Sequence, residues 1–157
     1  VVSLAAMSHE YAGVPPSTGN WPDAVDRLAS DRWLDGDTVA RVRFVETFGR
    51  FIANTDMHVA NLAFFPRDDG RLDLAPVYDM LPMGYAPVAG ESPAREYVVP
   101  LPEPGHGAVW FAAGDLASGY WQAVARDERV SQPFRAIASS NAAAVDRALG
   151  RFPGAGK

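Results

Sequence analysis

Cysteine is absent from the 157 residues, which removes a disulfide framework, a thiolate zinc site and a cysteine nucleophile together and suits a reducing cytoplasm. No apolar run approaches the roughly 20 residues that cross a bilayer, and the apolar opening Val1–Met7 has no basic leader. Positive charge is scarce as well. Fourteen Lys and Arg face nineteen Asp and Glu, for a net charge of −5. The basic residues, Arg95 among them, are scattered singly, which argues against broad nucleic-acid binding and leaves room only for a local basic patch. His9 and His106 have no partners at metal-ligand spacing. There is no internal repeat and no low-complexity tract. What remains is about one domain's worth of chain, 48% hydrophobic, able to bury most of its apolar surface without staples.

The informative stretch is Asn54-Thr55-Asp56-Met57-His58-Val59-Ala60-Asn61, followed by Val77-Tyr78-Asp79. Asp56 and Asn61 are five residues apart, the interval at which a kinase catalytic loop separates its substrate-orienting aspartate from its magnesium-binding asparagine. Between Asn61 and Asp79, Leu62–Pro66, the turn-forming Arg67-Asp68-Asp69-Gly70 and the alternating Leu72–Ala75 predict a β-hairpin with a four-residue connection. A hairpin brings its ends together, so Asn61 and Asp79 are expected side by side although 18 positions separate them. One carboxylate and one amide oxygen suit Mg2+, which takes few protein ligands and fills the rest of its octahedron with water and phosphate. Asp56 is the expected catalytic carboxylate, placed to orient an attacking hydroxyl and accept its proton. His58 either bonds backbone and stiffens the loop or contacts phosphate, and counts with Asn61 and Asp79 as cofactor-binding. The simpler alternative is that Asp56 caps the preceding helix and the other two are polar residues at strand ends.

The Asp-x-His-x-x-Asn form is also used by aminoglycoside-type phosphotransferases and phosphoinositide kinases, so the loop alone does not choose a substrate. The longer run Phe48–Phe65, with Leu74-Ala75-Pro76-Val77-Tyr78-Asp79-Met80-Leu81-Pro82-Met83, resembles the C-terminal lobe of HipA-like kinases. The likeness is most specific between Arg43 and Tyr85 and extends from Val1 to about Asn141, with Trp110, Trp121 and the Phe134-Arg135-x-Ile137-Ala138 stretch also looking familial. It implies an ATP- and Mg2+-dependent serine/threonine kinase, in many members the toxin of a toxin–antitoxin pair. By position, Asp56 resembles the catalytic aspartate, and Asn61 and Asp79 the magnesium ligands. The implied partners are a protein substrate and an antitoxin.

One departure stands out. The only lysine is Lys157, so no internal lysine exists to pair with nucleotide phosphates, and no Gly-x-Gly-x-x-Gly stretch occurs. Gly154-Ala155-Gly156-Lys157 is no phosphate loop, because Arg151 stands where the first glycine would be. The chain opens on Val1-Val2 rather than methionine. Residues 1–157 therefore read as one kinase C-terminal lobe, a piece of a longer kinase or a truncated relative, without the nucleotide-gripping lobe. Two further readings stay open: a non-catalytic lobe serving as scaffold or partner-docking piece, and a small-molecule or lipid kinase lobe.

The expected fold is mainly α around one small β-hairpin, the C-terminal lobe of a protein-kinase-like fold. Asn20 is a candidate cap for a short helix with Trp21, Val25, Leu28 and Ala29 on one face. Asp37–Ile52 reads as a helix with Val45, Phe48 and Ile52 in a stripe, ending where the loop begins. Six of thirteen prolines fall between Pro82 and Pro104, so regular helix is not expected there, and residues 82–106 either shape substrate access or form a stiff connector. Leu116, Ala117, Tyr120, Trp121 and Val124 predict one more amphipathic helix. A last one, capped by Ser131 and stopped by Gly150 and Pro153, would bury Phe134, Ile137, Ala138, Val145 and Leu149.

Overall fold

A computed structural model describes residues 1–7, 10, 21–87 and 96–152. The described elements are, in order, β1 (Val2–Ser3), α1 (Leu4–Met7), α2 (Trp21–Ser30), α3 (Gly36–Phe51), a 3₁₀ turn (Val59–Asn61), β2 (Ala63–Pro66), β3 (Leu72–Leu74), a second 3₁₀ turn (Met83–Tyr85), α4 (Gly107–Arg126) and α5 (Gln132–Arg151). The fold is thus mostly helical with one small antiparallel sheet. No helix among the described residues is long and apolar enough to cross a membrane. Two compact units divide the chain, residues 1–46 with 56–80 and residues 47–55 with 81–157.

The first unit is organised by the hairpin. β2 and β3 pair antiparallel with Phe64 opposite Leu74 and Pro66 opposite Leu72, and Ala75 N–H donates to the Ala63 carbonyl at 2.9 Å, extending the ladder. The predicted hairpin is present, with a turn closed by Gly70 N–H on the Arg67 carbonyl at 3.1 Å and with Gly70 at φ +81°, a conformation glycine adopts without steric cost. The sheet has a third strand not expected from the sequence. β1 covers the other edge of β2, with Val2 opposite Phe64 and Ser3 opposite Ala63. Two residues are too few for an alternation pattern to register. Beneath the sheet, Leu4, Trp21, Val25, Leu28, Val42, Val59, Leu62 and Phe64 form one buried cluster. In α2, Trp21, Ala24, Val25 and Leu28 recur at helical spacing on the buried face, as expected, with Ala29 partly buried beside them. The Asn20 cap lies outside the described residues.

Helix α3 starts at a defined cap. The Asp35 carboxylate accepts the Thr38 N–H at 2.9 Å, an N-cap bond that satisfies one of the four donors left over at a helix start. Its other oxygen receives Arg67 from the hairpin turn at 2.7 Å. The backbone bond from Thr38, its side-chain hydroxyl and the Arg67 guanidinium hold the Asp35 carboxyl down at about 2.

The helix's exit is equally determined. Phe48, Gly49 and Arg50 carbonyls receive Ile52, Asn54 and Ala53 N–H at 3.0, 2.9 and 3.2 Å. The last two bonds form a Schellman ending with Ala53 in the left-handed region at φ +58°. The Phe51 carbonyl receives Trp121 Nε1–H at 3.1 Å and the Tyr97 hydroxyl. All four terminal carbonyls therefore have donors, as buried polar groups require.

The second unit packs around that exit. α4 turns Trp110, Ala113, Gly114, Ala117, Ser118 and Trp121 inward. α5 turns in Ala138, Asn141, Ala142 and Val145. The helices run antiparallel, since Trp121 meets Phe134 near one end and Trp110 meets Phe152 at the other. Sequence expectations need correction here. Leu116 is 50% exposed and Ile137 37% exposed, whereas Gly114 and Ala138 are buried and Leu149 seats against Gly114. Ser131 precedes α5 without making a side-chain cap bond. The helix also continues through Gly150 to Arg151, an exposed glycine costing a helix less than losing the final turn of packing. Between Leu81 and His106 the described residues form no α-helix, in keeping with the proline count.

Two outcomes follow from these junctions. Asp35's carboxyl is lower in the folded chain than the ordinary value near 4, so its contribution is present above about pH 4 and is lost as pH falls toward 2. Urea melts of wild type and Asp35→Asn should therefore differ most at neutral pH and converge over that window. A gap unchanged at pH 2 contradicts the assignment. At the exit, a Cβ at Gly84 would stand 2.9 Å from the Ala53 carbonyl oxygen, which already accepts Gly84 N–H at 2.7 Å. Gly84→Ala should cost about 1–3 kcal/mol in the same melts.

Candidate active site

The loop after α3 is pinned to the first unit's core by its own alternation. Val59 and Leu62 are each 1% exposed and plug the apolar cluster, which leaves Asp56, His58 and Asn61 at least partly exposed. The buried indole of Trp21 donates from Nε1 to the His58 carbonyl at 2.8 Å, and the same carbonyl receives Asn61 N–H at 2.9 Å. His58 caps the 3₁₀ turn, with Nδ1 accepting Ala60 N–H at 3.2 Å. An accepting Nδ1 puts the imidazole proton of the neutral ring on Nε2, and Nε2 lies 3.6 Å from Asp56 Oδ1. The imidazole thus braces the loop backbone on one side and faces the Asp56 carboxylate on the other.

Asn61 and Asp79 do meet. Asn61 Nδ2 donates to the Asp56 backbone carbonyl at 2.9 Å and approaches Asp79 Oδ2 at 3.4 Å. The first bond orients the amide, and the second is at the outer limit of a hydrogen bond. With the nitrogen committed to Asp56, the amide's remaining acceptor is Oδ1. Asp79 itself is in the left-handed region at φ +56°, and the preceding Tyr78 hydroxyl donates to the Ala60 carbonyl at 2.7 Å, tying the exit of the hairpin to the loop at its entrance. Of the four residues singled out from sequence, Asn61 touches Asp56 and Asp79, and His58 touches the loop backbone and Asp56. Sequence reasoning assigned no role to Tyr78 and gave Trp21 only a packing one. A hydroxyl and an indole N–H each need a partner when held against a protein surface, but nothing in their spacing names that partner.

The donor chemistry fits a hard cation. A carboxylate and a carboxamide lie adjacent, both oxygen-bearing, and among the described residues no group of three His, Cys, Asp or Glu converges. Two protein donors suit Mg2+ with water and phosphate completing the shell. Within the second unit, a cavity of about 290 Å³ is lined by Ala53, Asn54, Thr55, Gly84, Tyr85 and Tyr97 among others.

Comparison with known proteins agrees with the motif. The model of the HipA-like C-terminal domain matches residues 9–148, so the chain belongs to that family. It is 41% identical over 139 residues to Toxin YjjJ of Escherichia coli (strain K12), an alignment covering 88% of this chain and 30% of that protein. The chain therefore spans under a third of the length of this relative. No solved structure matches it. The family resemblance read from Phe48–Phe65 and Leu74–Met83 is borne out.

The brace made by His58 can be tested on stability alone. An asparagine carbonyl accepts an N–H two residues on, as Nδ1 does here. His58→Asn should therefore stay near wild type, whereas His58→Ala should lose about 1 kcal/mol in urea unfolding. Equal losses for both would show that the Nδ1 bond does not hold the turn.

Proposed function

We propose that this chain is the catalytic part of a HipA-like toxin kinase, a kinase-type C-terminal lobe that transfers the γ-phosphoryl group of ATP to a serine or threonine hydroxyl of a protein. The single observation that carries the reading is the meeting of Asn61 with Asp79 across the ends of the hairpin, on an amide oriented by the Asp56 carbonyl. In it, Asp56 orients the acceptor hydroxyl and takes its proton; the hydroxyl oxygen bonds to the γ-phosphorus as the bond from that phosphorus to the bridging oxygen breaks and ADP leaves with the electron pair. His58 Nε2–H, 3.6 Å from Asp56 Oδ1, steadies that carboxylate. Asn61 Oδ1 and the Asp79 carboxylate would hold Mg2+. When bound, the ion offsets charge on the nucleotide phosphates.

Support for the protein acceptor and for a toxin role comes from the family and from the printed name of the relative, Toxin YjjJ. An antitoxin partner and a cytoplasmic setting belong to the same reading, the latter in keeping with a cysteine-free chain. The nucleotide-gripping lysine and glycine loop are not among these residues, so the proposal gives this chain only the acceptor-orienting and metal-holding share of the work.

The test uses the longest reading frame containing this chain. Asp56→Ala should reduce phosphotransfer at least about a hundredfold with the fold retained. Asp79→Ala should weaken magnesium-dependent nucleotide binding, read by calorimetry with MgATP. Labelled phosphate arriving on a small metabolite instead of protein would reassign the substrate class, and undiminished transfer by both variants would remove the kinase reading.

A further inference from the structure

A second cavity, of about 360 Å³, opens in the second unit where the start of α4 meets the end of α5. Its apolar wall is made by Leu101, Trp110 and Phe152. Trp110 Nε1–H donates to the Pro100 carbonyl at 2.8 Å, which fixes the 99–101 backbone as one side, and the Phe152 ring stands edge-on to Trp110 with centroids 5.4 Å apart. The wall is not closed over. Leu101 is 70% exposed and Phe152 38%, so large apolar side chains face solvent at the mouth.

The rim carries the second observation. Arg147 and Arg151 also line this cavity, one helical turn apart on α5, the spacing at which side chains are neighbours and like charges repel. Among the described residues neither guanidinium has a hydrogen-bond or ion-pair partner. The Arg32, Arg71 and Arg126 guanidinium groups are likewise without such a partner among the described residues, whereas five others are paired. Arg41, Arg43, Arg50, Arg67 and Arg129 pair with Asp73, Asp26, Glu103, Asp35 and Asp127, and the chain as a whole has more acid than base. The helix dipole favours a cation in the last turn, which accounts for Arg151 but not for the solvent-facing apolar wall beside it.

We propose that this cavity binds an acidic peptide segment of a partner protein, seating one large apolar side chain against Leu101, Trp110 and Phe152 while flanking carboxylates engage Arg147 and Arg151. Charge complementarity selects the anion, since two adjacent guanidinium groups offer forked donors to carboxylates. The apolar surface selects a polypeptide over a small anion. Val99, Pro100, Ala144 and Ala148 extend it on either side, a longer run than one small anion covers. Aromatic anchors in a pocket ringed by charge are the arrangement in which a few residues carry most of an interface's affinity.

The experiment is fluorescence anisotropy of the full chain with a fluorescein-labelled peptide, Asp-Glu-Phe-Leu-Glu-Asp. Saturable binding is expected, weakened about tenfold by the double substitution Arg147→Gln with Arg151→Gln and by raising salt. Replacing Phe and Leu of the peptide by Ser should weaken it comparably. Both arginines are exposed, and matching far-UV circular dichroism of the variant confirms that its fold is intact. No saturable binding below about 1 mM, equal binding by the double variant, or equal binding of a peptide with Lys at every acidic position would overturn the proposal. None of these residues belongs to the Asp56 site, so phosphotransfer and peptide binding fail or succeed separately.

Discussion

The structure depends on how α3 ends. A helix leaves four carbonyls without internal partners, and at this end each receives a donor. Three come from the backbone of Ile52, Ala53 and Asn54, and Phe51 receives the Trp121 indole and the Tyr97 hydroxyl. The cost is a left-handed alanine at Ala53, on the order of 1–2 kcal/mol for a residue with a Cβ. Buried carbonyls left without a donor would cost comparably or more. This cap sets where the chain leaves the helix, and the residues that follow are those on which the proposed chemistry rests. Gly84 belongs to the same junction, because its missing Cβ lets its own N–H reach the Ala53 carbonyl.

From there the loop is held by several unlike devices at once. Val59 and Leu62 anchor it by burial, Trp21 by an indole bond to the His58 carbonyl, His58 by its ring nitrogen, and Tyr78 by a bond from the far side of the hairpin. Each is modest, about 1 kcal/mol for a typical hydrogen bond, but they constrain different atoms within the five residues from His58 to Leu62. A short exposed loop so constrained can hold a carboxamide at a fixed tilt without help from a ligand, which is what preorganisation requires.

Much of this was legible in the sequence, for identifiable reasons. The hairpin announced itself through turn residues between two apolar runs, and its closure carried the pairing of Asn61 with Asp79 without any knowledge of tertiary contacts. The helix over residues 37–52 was readable from its stripe to within a residue at each end. The failures have a common cause. Leu116 and Ile137 were assigned to the interior because they are large and apolar, whereas the α4–α5 seam selects small side chains: a Cβ at Gly114 would lie 2.7 Å from Leu149 Cδ2. Close helix approach is decided by what must be absent between two backbones, and a single sequence does not display its partner surface. Strand β1 and the bonds of Trp21 and Tyr78 escape because no turn or spacing in the sequence names their partners.

Backbone strain separates the site from the scaffold. Among the described residues three other than glycine have positive φ: Arg32, Ala53 and Asp79. Arg32 ends α2 as Ala53 ends α3, with Arg32 N–H on the Ala29 carbonyl and Trp33 N–H on the Leu28 carbonyl at 3.0 and 2.9 Å. Both are therefore Schellman endings, in which a left-handed residue is the ordinary means of returning donors to the last carbonyls. Asp79 ends no helix. It lies in an irregular stretch five residues past β3. Aspartate tolerates this region better than most residues, and the Tyr78 bond to Ala60 holds the segment there. What the conformation achieves is the approach of the Asp79 carboxylate to the Asn61 amide. A left-handed residue outside any helix ending, at the residue whose side chain completes the proposed cation site, is the pattern expected where geometry serves chemistry.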